Sequence, residues 1–432
     1  MIAGSRWRKK YPLYFLENDG VSSKWIAGFE TMMTIQEALQ AIQKHIPPRR
    51  VTPVPLEQAM GQVLAADVHA PEPAPRFTNS AMDGFAVRWE DVQQAGPDRP
   101  VVLEIVGESQ AGCPFSGVLA RGTAVRINTG AMLPEGADTI IPLEESRVEK
   151  GQVWVLSANK KGQHVRYAGE EFKAGELLLP SGVEITPRQM ALLASLGLAE
   201  VPVYARPQVA ILVTGSELVP FHQTPAPGQV RESNGLMLRA LVHASGGAVV
   251  YQTIVPDALN VTRKEIARAA GKAEVLIFSG GVSVGPHDHV KEAARAEGFT
   301  PIFWRVKQKP GKPLFFATRK ETLLFGLPGN PVSAFMGYSY YIHPVLQQLG
   351  GRQFRWNRRR GLLTAPVANT LDRTVFFRVQ LLQNNNHWEV RPLKKQGSHM
   401  LTSIARADGF MVLEPGTRFE TGTEVTVYLF PQ

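Results

Sequence analysis

The sequence has a single cysteine in 432 residues, Cys113. That scarcity excludes an internal disulfide framework and a Cys-rich zinc site. In its Gly-Cys-Pro setting Cys113 reads as a small turn residue rather than a nucleophile. Long apolar runs are missing as well. The stretches 209–213 and 323–327 are among the longest, far short of the ~20 residues a membrane-spanning helix needs. The apolar patch at 11–16 is too short for a signal sequence and has no small-residue cleavage pattern after it. Concentrated charge is also absent. The formal balance is +9 and the pI near 9.6, which favours anionic ligands, yet the densest basic runs are Arg6-Trp-Arg-Lys-Lys and Arg358-Arg-Arg. With no zinc finger and no RNA-binding signature, the spread of basic residues reads as solvated surface, not a nucleic-acid interface.

What is present is a soluble globular composition, 44% hydrophobic and 20% charged, over a length that suggests roughly three domains. Residues 1–30 carry no sustained periodicity and read as a loosely ordered extension, with Met32 or Met33 as an alternative start. A helix begins at Thr34, whose hydroxyl caps it while Glu37 closes a capping box; Ile35, Ala38, Leu39 and Ile42 follow at helical spacing, and Pro47-Pro48 stops it. From Pro71 to about Lys150, short β-like runs broken by Gly and Pro indicate a small β domain. Thr186-Pro187 opens a helix that Gly197 ends. Residues 208–349 alternate strands (209–213, 248–254, 275–278, 314–316, 323–327) with helices (234–244, 259–270, one after Asp288, one after Pro331). This pattern predicts a parallel, doubly wound α/β sheet with helices on both faces and ligands beyond its carboxyl edge. From about Asn357 the text returns to alternating strands, a separate small β domain.

The unusual residues sit at the predicted strand ends. Ser279-Gly280-Gly281-Val-Ser283-Val-Gly285-Pro-His-Asp288 lets backbone N–H groups converge on an anion next to a helix start; the same glycines also suit a plain tight turn. Lys309-Pro-Gly-Lys312-Pro puts two cations on a stiff frame, an oxyanion site or an exposed basic turn. Gly326-Leu-Pro328-Gly-Asn330-Pro331-Val-Ser333 fixes an unusual backbone path and places Ser333 near a helix start. All three fall along one sheet edge, and that convergence favours a pocket. Glu217, Asp257 and Asp288 occupy the ends of neighbouring strands. Singly, Asp257 and Asp288 suit helix caps; together they suggest a hard cation, Mg2+, beside phosphate. His287 and His289 lack further ligand types nearby and read as solvent-facing.

These motifs, together with Pro75-Arg-Phe-Thr-Asn-Ser-Ala-Met-Asp83-Gly-Phe-Ala, Arg126-Ile-Asn-Thr129-Gly-Ala, Gly-Ala-Asp138, Arg166-Tyr-Ala-Gly-Glu170-Glu171 and Thr214-Gly-Ser-Glu217-Leu, resemble the molybdopterin molybdenumtransferases, the bacterial MoeA and gephyrin E-domain family. The resemblance runs in order from about Thr34 to the end. It departs at Glu171 and Glu232, where the family usually has Asp, and at Pro286-His287.

The resemblance implies a multidomain α/β-plus-β architecture. It has an elongated N-terminal domain (31–75 and 151–205), an inserted β domain (76–150), a central α/β molybdopterin-binding domain (206–350) and a C-terminal β-barrel-like domain (351–432). It also implies a cytoplasmic homodimeric transferase that inserts molybdenum from molybdate into adenylyl-molybdopterin with release of AMP. Asp257 and Asp288 then hold Mg2+. Gly280, Gly281, Ser283, Gly285, Lys309, Lys312, Pro328, Asn330, Pro331 and Ser333 bind substrate. Asp83, Thr129, Glu171 and Glu217 act at the reacting centre, with Asp83, Thr129 and Glu171 of one subunit meeting Glu217, Asp257 and Asp288 of the other. A molybdopterin adenylyltransferase is an expected transient partner. The alternatives are that adenylyltransferase itself, whose glycine loop is typically Thr-Gly-Gly-Thr-Gly and which lacks the first and last domains, and a non-catalytic molybdopterin-binding scaffold.

Overall fold

The computed structural model describes residues 32–283, 288–384 and 387–431. The extension read at 1–30, the site candidate Gly285 and His287 therefore lie outside the described residues. Two compact units emerge: one holds Val54–Met60 and Leu64–Val201, the other the described residues up to Pro53, Gly61–Val63 and Pro202 onward. Helix α1 (Ile35–Gln43) starts as its capping chemistry predicts. Thr34 Oγ1 accepts from the Glu37 N–H at 3.2 Å, and the Glu37 carboxylate accepts from the Thr34 N–H at 2.7 Å.

The first unit is built on a six-stranded sheet of β1 (Gly84–Val87), β2 (Val101–Ser109), β3 (Thr123–Ile127), β4 (Thr139–Pro142), β5 (Ser146–Glu149) and β6 (Gln152–Val155), in the order β4-β1-β3-β2-β6-β5. Alternation along the strands fills both faces: Phe85, Val87 and Ile141 join one cluster, Ala86, Val125 and Ile140 the other. The unit also holds short two-stranded ladders, Val68–His69 with Leu177–Leu179 and Asn79–Ser80 with Val165–Arg166, and helix α2 (Pro187–Ser195).

The second unit carries a sheet of β7 (Gln208–Thr214), β8 (Ala248–Val255), β9 (Val275–Ser279), β10 (Thr300–Arg305), β11 (Pro313–Arg319) and β12 (Thr322–Leu327), in the order β8-β7-β9-β12-β11-β10. Val209, Ile211, Ile277 and Phe325 face α1, α3 (Asn234–Ala244), α6 (Pro331–Gly337) and α7 (His343–Leu349). Ala210, Leu212, Leu276 and Leu324 face α4 (Leu259–Ala270) and α5 (Val290–Ala296). The sheet is thus covered on both sides, as its near-continuous apolar strands require.

It is not wholly parallel. β8, β7, β9 and β12 run parallel, whereas β11 is antiparallel to β12 and to β10. Lys320 and Glu321 alone join β11 to β12, too short a link for the crossover that a parallel pair needs. β10 went unread in the sequence because Pro301 interrupts it; as the sheet's edge strand it tolerates the missing N–H.

Beyond α7, β13 (Arg358–Leu363), β14 (Thr374–Asn384), β15 (His387–Pro392), β16 (Gly409–Leu413) and β17 (Glu424–Leu429) close into a five-stranded barrel through the added β14–β16 pairing. Leu363, Val379, Val390, Leu413 and Val427 form its core. Phe376 and Phe410 pack outward on Val332 and Met336 of α6. Among the described residues no helix is long and apolar enough to cross a membrane.

Candidate active site

Because β7, β8, β9 and β12 are parallel, the loops after all four open at one edge. These are Gly215-Ser216-Glu217, Pro256-Asp257, Gly280-Gly281-Val282-Ser283 and Pro328-Gly329-Asn330. The reversal of β11 brings the lysine segment to the same edge. Residues 306–312, which include the short strand Gln308–Lys309 paired with the start of β14, join the end of β10 to the start of β11, and that start pairs with the end of β12 (Phe315 opposite Gly326). In a fully parallel sheet the segment preceding β11 would open at the opposite edge.

A cleft of about 650 Å³ results, lined by Thr214, Gly215, Glu217, Asp257, Gly280, Gly281, Val282, Ser283, Asp288, Gln308, Lys309, Pro310, Gly311, Lys312, Pro313, Pro328, Gly329, Asn330, Ser333, Arg373, Gln396 and Ser398. Of the residues singled out from the sequence, Glu217, Asp257, Asp288, Gly280, Gly281, Ser283, Lys309, Lys312, Pro328, Asn330 and Ser333 are brought together here. Pro331 is not in the lining; it is the first residue of α6, where its missing N–H costs no helical hydrogen bond.

The walls are held by side chains that take no part in that lining as well as by some that do. Gly280 and Gly281 have φ of +97° and +67°, and a Cβ on Gly280 would lie 2.6 Å from Thr214 Oγ1 and 2.7 Å from the Thr214 carbonyl. The buried amide of Asn234 donates to Ser279 Oγ at 2.9 Å and to the Gly329 carbonyl at 2.8 Å, tying the start of α3 to two of the loops. Gln308, also buried, donates to the Gly311 carbonyl at 2.9 Å and accepts from the Tyr341 hydroxyl, which sets the Lys309–Lys312 turn. Burial, reinforced by Tyr340, pushes the Tyr341 phenol well above its usual range, so it stays a donor.

Asp257 Oδ2 accepts from the Ser216 N–H at 3.0 Å while Ser216 Oγ accepts from the Asp257 N–H at 3.1 Å. The N-cap positions of α4 and α5 belong to Ala258 and His289, not to Asp257 and Asp288. Glu232, one residue before the Ser233 N-cap, is buried and its carboxylate accepts from the Gly235 N–H in the first turn of α3 at 2.6 Å. Burial lowers the Lys291 ammonium to about 8, with the charge of Asp288 opposing the shift.

Asp83, Thr129 and Glu171 belong to the other unit. There Asp83 Oδ1 accepts from the Thr129 N–H at 2.6 Å and from Thr129 Oγ1 at 3.0 Å. The backbone bond, then the hydroxyl, holds the Asp83 carboxyl below its ordinary value. The Glu171 N–H donates to the Ala74 carbonyl at 2.9 Å and its side chain is exposed. Asp138 has a structural role, accepting from the Trp89 N–H at 2.7 Å and pairing with Lys161 at 3.2 Å.

The sequence reading missed three lining residues from the barrel region: Arg373, Gln396 and Ser398. Gln396 is clamped to β14 by donating to the Arg378 carbonyl at 2.9 Å and accepting from the Arg378 N–H at 3.1 Å; the Ser398 carbonyl accepts from the Val332 N–H of α6 at 3.1 Å. Behind this loop the Arg378 side chain is fully buried, and burial lowers it to about 10. No local motif marks these positions, which reach the cleft only through barrel closure.

Chemically, the cleft offers Lys309, Lys312 and Arg373 against Glu217, Asp257 and Asp288. Among the described residues no three His, Cys, Asp or Glu side chains gather into a protein-only metal site. That donor set fits a hard cation taking one or two carboxylates and completing its shell with phosphate and water, as Mg2+ does, and does not fit zinc.

Three family models match in sequence order: "MoeA N-terminal region (domain I and II)" over residues 33–197, "Probable molybdopterin binding domain" over 210–348 and "MoeA C-terminal region (domain IV)" over 360–430. A molybdopterin molybdenumtransferase of Haemophilus influenzae is 34% identical over 389 residues, 89% of this chain and 95% of that protein. A molybdopterin molybdenumtransferase 2 of Mycobacterium tuberculosis is 35% identical over 404 residues, 92% of this chain and 99% of that one. The crystal structure of the molybdopterin biosynthesis MoeA protein of Pyrococcus horikoshii matches with a TM-score of 0.81 at 29% identity, covering 93% of this chain and 100% of that one.

Proposed function

The chain belongs to the MoeA family of molybdopterin molybdenumtransferases, and from that premise we propose that it inserts molybdenum from molybdate into adenylyl-molybdopterin and releases AMP. The observation that carries this reading is the meeting of four strand-end loops and the lysine hairpin in one cleft, with cations and acids both facing it.

The physical difficulty of such a reaction is bringing two anions together. Lys309, Lys312 and Arg373 supply fixed positive potential, the Gly281–Ser283 amides supply preorganised donors, and Asn330 and Ser333 add polar contacts for the phosphates. Asp257 and Asp288 are the residues to hold Mg2+, which when bound neutralises phosphate charge. Glu217, with Asp83, Thr129 and Glu171, orients the reacting groups. The Asp83 carboxylate, kept ionised by Thr129, is suited to hold a proton-bearing ligand such as water. The enzyme works as a cytoplasmic homodimer, each site drawing the Asp83 set from one subunit and the cleft from the other, and receives its substrate from a molybdopterin adenylyltransferase.

Incubating the purified protein with adenylyl-molybdopterin, Mg2+ and molybdate tests the reading. AMP release together with activation of a molybdenum-dependent apoenzyme is expected. AMP release without activation, or neither, overturns insertion.

A further inference from the structure

The glycine loop is held on its far side by two residues that the proposed reaction does not use. Trp304, at the end of β10 and buried, donates its indole N–H to the Val282 carbonyl at 2.6 Å. Lys291, in the first turn of α5, donates from Nζ to the next carbonyl, that of Ser283, at 2.5 Å. The two are joined to each other: the Lys291 ammonium lies 3.5 Å from the centroid of the Trp304 ring, and the Arg305 guanidinium 4.0 Å from it. Two successive carbonyls are thus pinned by one interlocked pair of side chains from two different elements.

A trans peptide is planar, so its C=O and the following N–H point in opposite directions. Fixing the Val282 carbonyl on Trp304 therefore fixes the direction of the Ser283 N–H. Both residues line the cleft. Gly280 and Gly281, just upstream, are the positions where the backbone is least constrained by its own side chains. A loop of that kind needs outside contacts to hold its donors in one arrangement, and the energetic gain of a donor array depends on its being set before the ligand arrives.

We propose that Trp304 and Lys291 are positioning residues, a brace that presets the amide donors of the glycine loop for the anionic part of the substrate without touching it. The proposal rests on the anion-binding reading of this cleft. Three variants separate its parts. Trp304→Phe keeps a ring for the two cations and removes the N–H. Lys291→Met keeps the aliphatic stem and removes the donor. Lys291→Arg keeps both charge and donor.

Hydrogen–deuterium exchange of the peptide spanning 279–283 is expected to quicken about tenfold in W304F and K291M, the loss of one hydrogen bond, while barrel peptides stay as in the wild type. For AMP release the same variants should raise KM for adenylyl-molybdopterin about tenfold and leave kcat within about twofold, since ground-state positioning is what is lost. K291R should recover most of both effects. Unchanged exchange in W304F and K291M overturns the brace, as does a fall in kcat at constant KM, which would put Lys291 in the chemistry instead. If the wild type releases no AMP, the function proposed above falls, and the exchange measurement alone still decides the brace.

Discussion

Gly280 carries the tightest steric requirement in the cleft. Its φ of +97° is one that L side chains rarely adopt, and the space a Cβ would need is taken by the side chain and carbonyl of Thr214. The Thr214 carbonyl is backbone at the end of a buried central strand and cannot step aside. Gly280→Ala should therefore lower unfolding stability by about 2 kcal/mol or more, read from urea melts. Gly130→Ala is the control, since its φ is similar at +79° and nothing lies within 4 Å. Equal losses in the two would mean that backbone strain alone matters and that the close approach to β7 does not. Residues of this kind are legible in a sequence, because glycine, proline and paired lysines mark places where the backbone or the charge must be special. Arg373, Gln396 and Ser398 are not. They are ordinary residues in ordinary surroundings, and only the folding of the barrel region beside α6 gives them a place at the cleft.

At the scale of elements, periodicity located α3 and α4 to the residue and four of the buried strands to within one, but it read β11 as 314–316 where the strand runs Pro313–Arg319. It also predicted an all-parallel sheet, and there the local signal ran out. Strand direction is set by the length of the connections, and the two-residue turn at Lys320-Glu321 reverses β11. The junction of α6 and α7 is a second element the sequence understates. A π-helical turn, Tyr338–Ile342, links them, and His343 begins α7.

Ser245 Oγ donates to the Leu241 carbonyl and lies 2.8 Å from both the Tyr338 hydroxyl and His343 Nδ1. With its one proton committed, Ser245 Oγ accepts from both neighbours, so His343 is a neutral ring protonated at Nδ1. Burial, and then the charge of Arg352, lowers His343 to about 4. Between about pH 6.5 and 4 the unfolded chain takes up this proton and the folded chain does not, so stability falls as the pH drops through that window and is flat with respect to His343 above it. The loss from pH 7 to 4.5 should be roughly 2 kcal/mol from this residue. His343→Gln, which offers a donor without a titrating group, should show a correspondingly shallower decline in unfolding free energy. An identical decline in wild type and variant would remove His343 as its source.

At the scale of the molecule, the change from β to α/β to β text along the chain was visible because each architecture writes its own periodicity. A subunit interface writes none. The residues proposed to act together nevertheless fall on two compact units, Asp83, Thr129 and Glu171 on one and the cleft on the other, and that division makes shared sites testable. In a two-fold symmetric dimer, a site drawing Asp83 from one chain and Asp257 from the other behaves distinctively when two defective chains are combined. Asp83→Asn and Asp257→Asn homodimers each lack a carboxylate in both sites and should release little AMP. In a mixed dimer both lesions fall in one site and the other is intact. Random reassortment makes half the dimers mixed, so unfolding and refolding the two variants together should restore about a quarter of wild-type activity. If each chain builds its whole site from its own residues, every site in the mixture carries one lesion and no activity returns, and the shared-site dimer is then wrong even if the reaction is right.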